Sequence, residues 1–139
     1  MNEHLLRERM IETLKRMNSS GINQGTSGNL SVRLPNGMLI TPTAISYEEI
    51  LPSDLLKLDL NGNPNSYESN QEKKIDRDRS SEWRLHADLL LNRPEINVVL
   101  HCHSIHATAL ACHGRGIPSF HYMTAIAGGE NIRCAPYAT

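Results

Sequence analysis

No stretch of this chain is apolar for long enough to span a bilayer, so the sequence offers no membrane-crossing helix. A dominant charge is also lacking. The 14 Lys and Arg stand against 15 Asp and Glu, a balance that gives no electrostatic case for nucleic acid or a membrane as partner. Cysteine is scarce: Cys102, Cys112 and Cys134 are an odd number without CxxC spacing. The acidic, Arg-containing start does not read as a signal peptide, so the three thiols are expected to be reduced packing residues of a cytoplasmic protein. Neither a Gly-Lys-Ser/Thr phosphate loop nor a GxGxxG fingerprint is present, and there is no internal repeat. What is there suits one ordinary domain: 139 residues, 39% hydrophobic, 21% charged and large enough to bury a core.

The most informative stretch runs from Asn97 to Ser104, NVVLHCHS. Val98, Val99 and Leu100 predict a short buried strand. If the strand continues, His101 and His103 share one face and Cys102 turns to the other. Two imidazoles on a rigid backbone supply two neighbouring corners of a metal site. A buried, hydrogen-bonded histidine beside a solvated one is the competing reading of so short a motif.

From the start, residues 4–19 have the spacing of an amphipathic helix, with Leu6, Met10, Ile11, Leu14 and Met17 inward and Gly21 as the stop. Residues 23–29, NQGTSGN, read either as a polar turn or as a nest whose backbone N–H groups could hold a phosphate or carboxylate. Residues 30–34 and 38–41 predict a hairpin around Pro35-Asn36-Gly37, and residues 41–44 leave it extended. Leu56, Leu58 and Leu60 alternate as a half-buried strand ending in a turn at 61–64. Residues 63–79 are polar and charged, and are expected to form an exposed, mobile loop.

Ser80 or Ser81 is expected to cap a helix over 80–90, with Glu82 in its first turn and Trp83, Ala87 and Leu90 facing the sheet. The start of that helix is also a candidate anion site, which would set a carboxylate beside an anion cradle. Ser104 should cap a further helix through Cys112, ended by Gly114 and Gly116. His106 and His113 read as solvated or packed histidines. Strands are predicted at 117–123 and 132–134.

Taken in order, NQGTSGNLSVR (23–33), GMLITPT (37–43), SSEWRLH (80–86), VVLHCHS (98–104), IPSFHYMTAIAGG (117–129) and CAPYAT (134–139) resemble the class II aldolase/adducin family, nearest its L-fuculose-1-phosphate aldolase members. The likeness runs nearly end to end, apart from a longer loop around 66–79. It implies a three-layer α/β/α fold around a mostly antiparallel sheet, C-terminally truncated, and assembly as a tetramer with sites at the interfaces. It implies Zn²⁺ held by Glu82, His101 and His103, with Glu82 also the catalytic base. Thr26, Asn29, Thr43, Ala44, Ser80 and Ser81 fall in the segments that wrap the substrate phosphate. Tyr122 matches a tyrosine that donates a proton to the aldehyde oxygen across a subunit boundary. The implied reaction cleaves a ketose 1-phosphate to dihydroxyacetone phosphate and an aldehyde through a metal-stabilised enediolate.

Two departures from the family pattern stand out. Ala44 replaces a glycine of the phosphate loop, and alanine is penalised there if the backbone takes positive φ. The resemblance also places a third metal histidine, together with further sheet strands and covering helices, beyond residue 139, so exposed apolar surface or an open sheet edge is expected. Related pentulose-phosphate epimerases and methylthioribulose-phosphate dehydratases are alternatives, as is a non-catalytic assembly module like the adducins. Glu82 together with Tyr122 favours the aldolase.

Overall fold

The computed structural model describes residues 2–64 and 78–137, and most of the loop predicted at 63–79 lies outside them. The chain divides into two compact units, Met1–Cys102 and His103–Thr139. The first begins with helix α1, Glu3–Ser19, whose N-cap Asn2 side chain accepts from the His4 N–H at 3.0 Å. Strands β1 (Asn29–Leu34) and β2 (Gly37–Ile40) form the expected hairpin, with Leu34 opposite Gly37. Strand β3 (Leu56–Leu58) and, after helix α2 (Trp83–Asn92), strand β4 (Val98–His101) complete a sheet of order β3-β2-β1-β4. Every pairing is antiparallel.

Period-two alternation divides the sheet between two cores. On one face Leu30 and Leu39 pack with Met10, Ile11, Leu14 and Met17 of α1, joined by Tyr47, Ile50 and Leu55. On the other, Met38, Ile40, Leu58 and Val99 pack with Ala87 and Leu90 of α2. The result is helix, sheet, helix, the three-layer arrangement expected, in which each fully covered leucine contributes about 1.5–3 kcal/mol by leaving water.

Strand β4 departs from its prediction. It lies at the sheet edge and only Val99 is buried, while Val98 and Leu100, on the α1 side, are 53% and 40% exposed. The apolar run forms a strand as predicted, but a half-covered edge strand rather than a buried one. Among the described residues β4 thus leaves an open sheet edge and exposed apolar surface, both of which were expected.

In the second unit, helix α3 (Ile105–Cys112) follows Ser104 as predicted, although the Ser104 side chain makes no capping bond. Gly114, at φ 62°, takes the left-handed conformation that ends such a helix. The strands predicted at 117–123 and 132–134 reduce to one antiparallel bridge between Ile117 and Ile132. Tyr122–Ala127 forms a 3-10 helix instead, closed by Gly128 at φ 85°. A ladder needs successive residues to find partners, and past Ile117 the backbone turns into its own i to i+3 bonds, as from the Thr124 N–H to the His121 carbonyl. The thiols also differ from one another: Cys102 reaches the α1 core as expected, whereas Cys112 is exposed rather than packed. No described helix is long and apolar enough to cross a membrane.

Candidate metal and sugar-phosphate site

The three polar residues on the α2 face of β1 each meet a different level of α2. Asn29 Nδ2 donates to Glu82 Oε2 at 2.5 Å, beside the first turn. Ser31 Oγ lies 2.7 Å from His86 Nδ1, one turn on. Arg33 donates to the carbonyls of Leu90 at 2.5 Å and Arg93 at 3.1 Å, where the helix ends. A cation there complements the carbonyl end of the helix dipole.

Glu82 itself is the N-cap of α2, and neither serine is. The Glu82 N–H donates to Ser80 Oγ at 3.3 Å in a local turn, and the cap falls one or two residues later than the serines predicted for it. Opposite, β4 delivers His101 by pairing it with Asn29. His101 Nδ1 comes to 2.5 Å from Glu82 Oε2. The strand ends at His101, so His103 sits past it on irregular backbone and not, as predicted, on the same strand. One residue separates the two histidines, so His103 stays within reach by chain connection alone. The donor atoms of Glu82, His101 and His103 all lie within 4.8 Å of one another. They are the group among the described residues able to hold a metal ion.

The donor set fits such an ion. Two imidazoles and a carboxylate offer the nitrogen and oxygen ligands that divalent zinc accepts, and ligands at about 2.0–2.2 Å from a common centre must themselves be close neighbours. Gly28 keeps this corner tight: a Cβ there would meet the His101 carbonyl oxygen at 2.7 Å and Asn23 Oδ1 at 2.9 Å. The Gly28 carbonyl accepts from the buried Tyr47 hydroxyl, whose titration burial pushes upward.

His86 was not singled out by the sequence, although it is fully buried beneath this site. Burial, and then the neighbouring His101, press its pKa down from 6.5 to about 4, against an opposing pull from Glu82. It is a neutral imidazole at neutral pH. Its place in the apolar stripe of α2, between Trp83 and Leu90, was the available signal.

The residues assigned to the substrate phosphate are only partly gathered. Pro42 bridges Arg79, and the Thr43 N–H donates to the Asp78 carbonyl at 3.0 Å, which sets the segment of Thr43 and Ala44 alongside that of Ser80 and Ser81. Ala44 takes φ 57°, the left-handed conformation anticipated for a position the family fills with glycine. Thr26 is exposed in the 23–29 turn, where Ser27 Oγ donates to the Gln24 carbonyl at 2.7 Å. Asn29 faces Glu82 and His86 rather than that turn. In the second unit Tyr122 is 78% exposed, its ring centroid 4.3 Å from that of His121.

The model of the class II aldolase and adducin N-terminal domain family matches residues 8–139. The L-fuculose phosphate aldolase of Escherichia coli (strain K12) is 45% identical over 139 residues, all of this chain and 60% of that protein. A 5-methylthioribulose-1-phosphate/5-deoxyribulose-1-phosphate aldolase of Rhodospirillum rubrum is 43% identical over 134 residues, 96% of this chain and 57% of its own length. A solved structure of an L-fuculose 1-phosphate aldolase superposes with a TM-score of 0.83 at 36% identity, covering 96% of this chain and 59% of that one. The chain thus spans about 60% of the length of the curated relatives it matches. Three-layer fold, family model and relatives agree, and the chain belongs to the class II aldolase and adducin N-terminal domain family.

Proposed function

We propose that this chain carries the metal-holding and phosphate-holding part of a zinc-dependent sugar-phosphate aldolase, which cleaves a ketose 1-phosphate of the L-fuculose 1-phosphate type to dihydroxyacetone phosphate and an aldehyde. The observation that carries the reading is the convergence of Glu82, His101 and His103. Those three residues would hold the ion. When bound, it supplies Lewis acidity at the carbonyl of the ketose.

The protein's own residues handle the protons. In the cleavage direction, the proton of the hydroxyl on the breaking bond leaves by way of Tyr122. The electron pair of the carbon–carbon bond stays on the carbon beside the carbonyl, and Glu82, first protonated from solvent, delivers to that carbon one proton that balances the one lost through Tyr122. The substrate must be held still for this, and its phosphate is assigned to Thr26, Asn29, Thr43, Ala44, Ser80 and Ser81. The pairing of Pro42 with Arg79, which aligns two of these segments, supports that assignment.

Tyr122 is assigned to the site of a neighbouring protomer in a homotetramer, a role supported by its exposure. A cytoplasmic location is supported by three free thiols. The substrates in the names of the solved L-fuculose 1-phosphate aldolase and of the Rhodospirillum rubrum relative share a 1-phosphate and differ in the rest of the sugar. The proposed class is therefore the ketose 1-phosphate, with the aldehyde as the variable product.

The test is zinc content at neutral pH, measured beside an assay for triose phosphate released from L-fuculose 1-phosphate. Stoichiometric zinc is expected in the chain as it stands and lost in His103→Ala, with Glu82→Gln binding it more weakly. A folded chain that takes up no zinc would overturn the reading.

A further inference from the structure

We propose that His86, set by Ser31, is a positioning residue for Glu82 and acts through the side-chain amide of Asn29. This rests on the metal-site reading above and adds to it His86 and Ser31, which touch neither ion nor substrate.

The argument follows from which groups can donate. An ionised carboxylate only accepts, so the Asn29 side chain must turn its NH₂ toward Glu82 Oε2, 2.5 Å away. The opposite flip would set an amide oxygen against a carboxylate oxygen. With the flip fixed, Asn29 Oδ1 faces His86 Nε2. An amide oxygen cannot donate, so that ring nitrogen must carry the hydrogen. A neutral imidazole then has its lone pair on Nδ1. Ser31 Oγ lies there at 2.7 Å and donates its hydroxyl proton.

The chain of hydrogen bonds Ser31→His86→Asn29→Glu82 therefore has a single direction from the core to the carboxylate. Ser31 and His86 are both fully buried and Asn29 is 5% exposed, so water is kept from offering alternatives. Each partner lies on a regular element, Asn29 and Ser31 on β1 and His86 on α2. Such a carboxylate arrives with its orientation already chosen. Removing groups that orient metal ligands from behind typically weakens metal binding by about 10–100-fold.

The test uses the full chain and reads two things. The first is ¹⁵N NMR of the His86 ring, expected to show the tautomer with hydrogen on Nε2, together with Asn29 side-chain amide signals that move in Ser31→Ala. The second is zinc affinity by competition with a chelating dye, with far-UV circular dichroism as the check on folding. His86→Leu is expected to bind zinc about 10–100-fold more weakly. His86→Gln, which keeps an N–H donor, should recover most of that loss, and Ser31→Ala should lose affinity several-fold. A folded His86→Leu with unchanged affinity, or a His86 ring protonated on Nδ1, overturns the proposal. If His86→Leu does not fold, Ser31→Ala decides: unchanged affinity with an unchanged tautomer counts against the relay. If the unaltered chain binds no zinc, the metal-site reading fails, and the tautomer and Asn29 signals still decide the hydrogen-bond chain.

Discussion

The two units contrast in how their side chains are held. In Met1–Cys102 every sheet strand and both helices contribute to a buried cluster, and Leu14, Leu39, Ile40 and Leu90 are fully enclosed. In His103–Thr139 helix α3 buries no residue, and Phe120, Tyr122 and Ile126 are each at least 73% exposed. Glu82 and His101 therefore stand on a scaffold whose every displacement disturbs a packed core. Tyr122 stands on a short 3-10 helix in which Thr124 is the buried residue. The contrast separates the tasks proposed for them: holding a cation requires fixed donors, whereas a proton-carrying tyrosine on an exposed segment can meet a second body.

The sharpest way to break this comparison is to truncate one apolar side chain in each unit. Leu90→Ala is expected to cost about 2–5 kcal/mol, whereas Ile126→Ser should stay within about 0.5 kcal/mol. Urea unfolding midpoints at a common slope measure both. Equal losses would mean that the C-terminal unit shares a core of the same weight.

The buried side of the comparison also predicts a pH dependence. Unfolded, His86 takes up a proton below its ordinary value of 6.5, but folded it does so only below about 4. Stability is thus complete above about pH 6.5 and falls as pH drops toward about 4, by at most roughly 3 kcal/mol. Unfolding measured across that window should flatten in His86→Gln. The smallest expected effect is a gain. At φ 57°, Ala44 carries left-handed strain of about 1–2 kcal/mol, partly offset in glycine by chain entropy. Ala44→Gly should therefore stabilise by about 0.5–1 kcal/mol, read from the same unfolding midpoints.

Much of the first unit was legible because its signals are local. The spacing of Met10, Leu14 and Met17 predicts α1, and the turn at Pro35-Asn36-Gly37 predicts the hairpin. What failed depended on partners elsewhere in the chain. Val98 and Leu100 look buried in sequence, but among the described residues they lie on an edge strand and stay exposed, because cover for their face must come from elsewhere in the chain. Residues 117–123 have strand-like composition, yet only Ile117 finds a partner in Ile132. At the site, His101 was legible from the His-x-His spacing, Glu82 and Asn29 took their roles from the resemblance, and geometry added the direction of their bonds. His86 escaped because its place in the apolar stripe of α2 signals burial but not use, and only the serine beneath it reveals that use.

The matching of β1 to α2 has a consequence for how the chain finds its native pairing. Two strand residues advance about 6.6 Å and four helical residues about 6 Å. Asn29, Ser31 and Arg33 can therefore meet Glu82, His86 and the Leu90 carbonyl in step, like teeth of equal pitch. The alternate residues Leu30, Val32 and Leu34 belong to the opposite core. A slip of β1 by one position would drive Asn29, Ser31 and Arg33 into the oil beneath α1 and press three aliphatic side chains against His86 and Glu82. The polar groups that aim the carboxylate also serve as a proofreading mark, so a misaligned strand loses its site and its fold together.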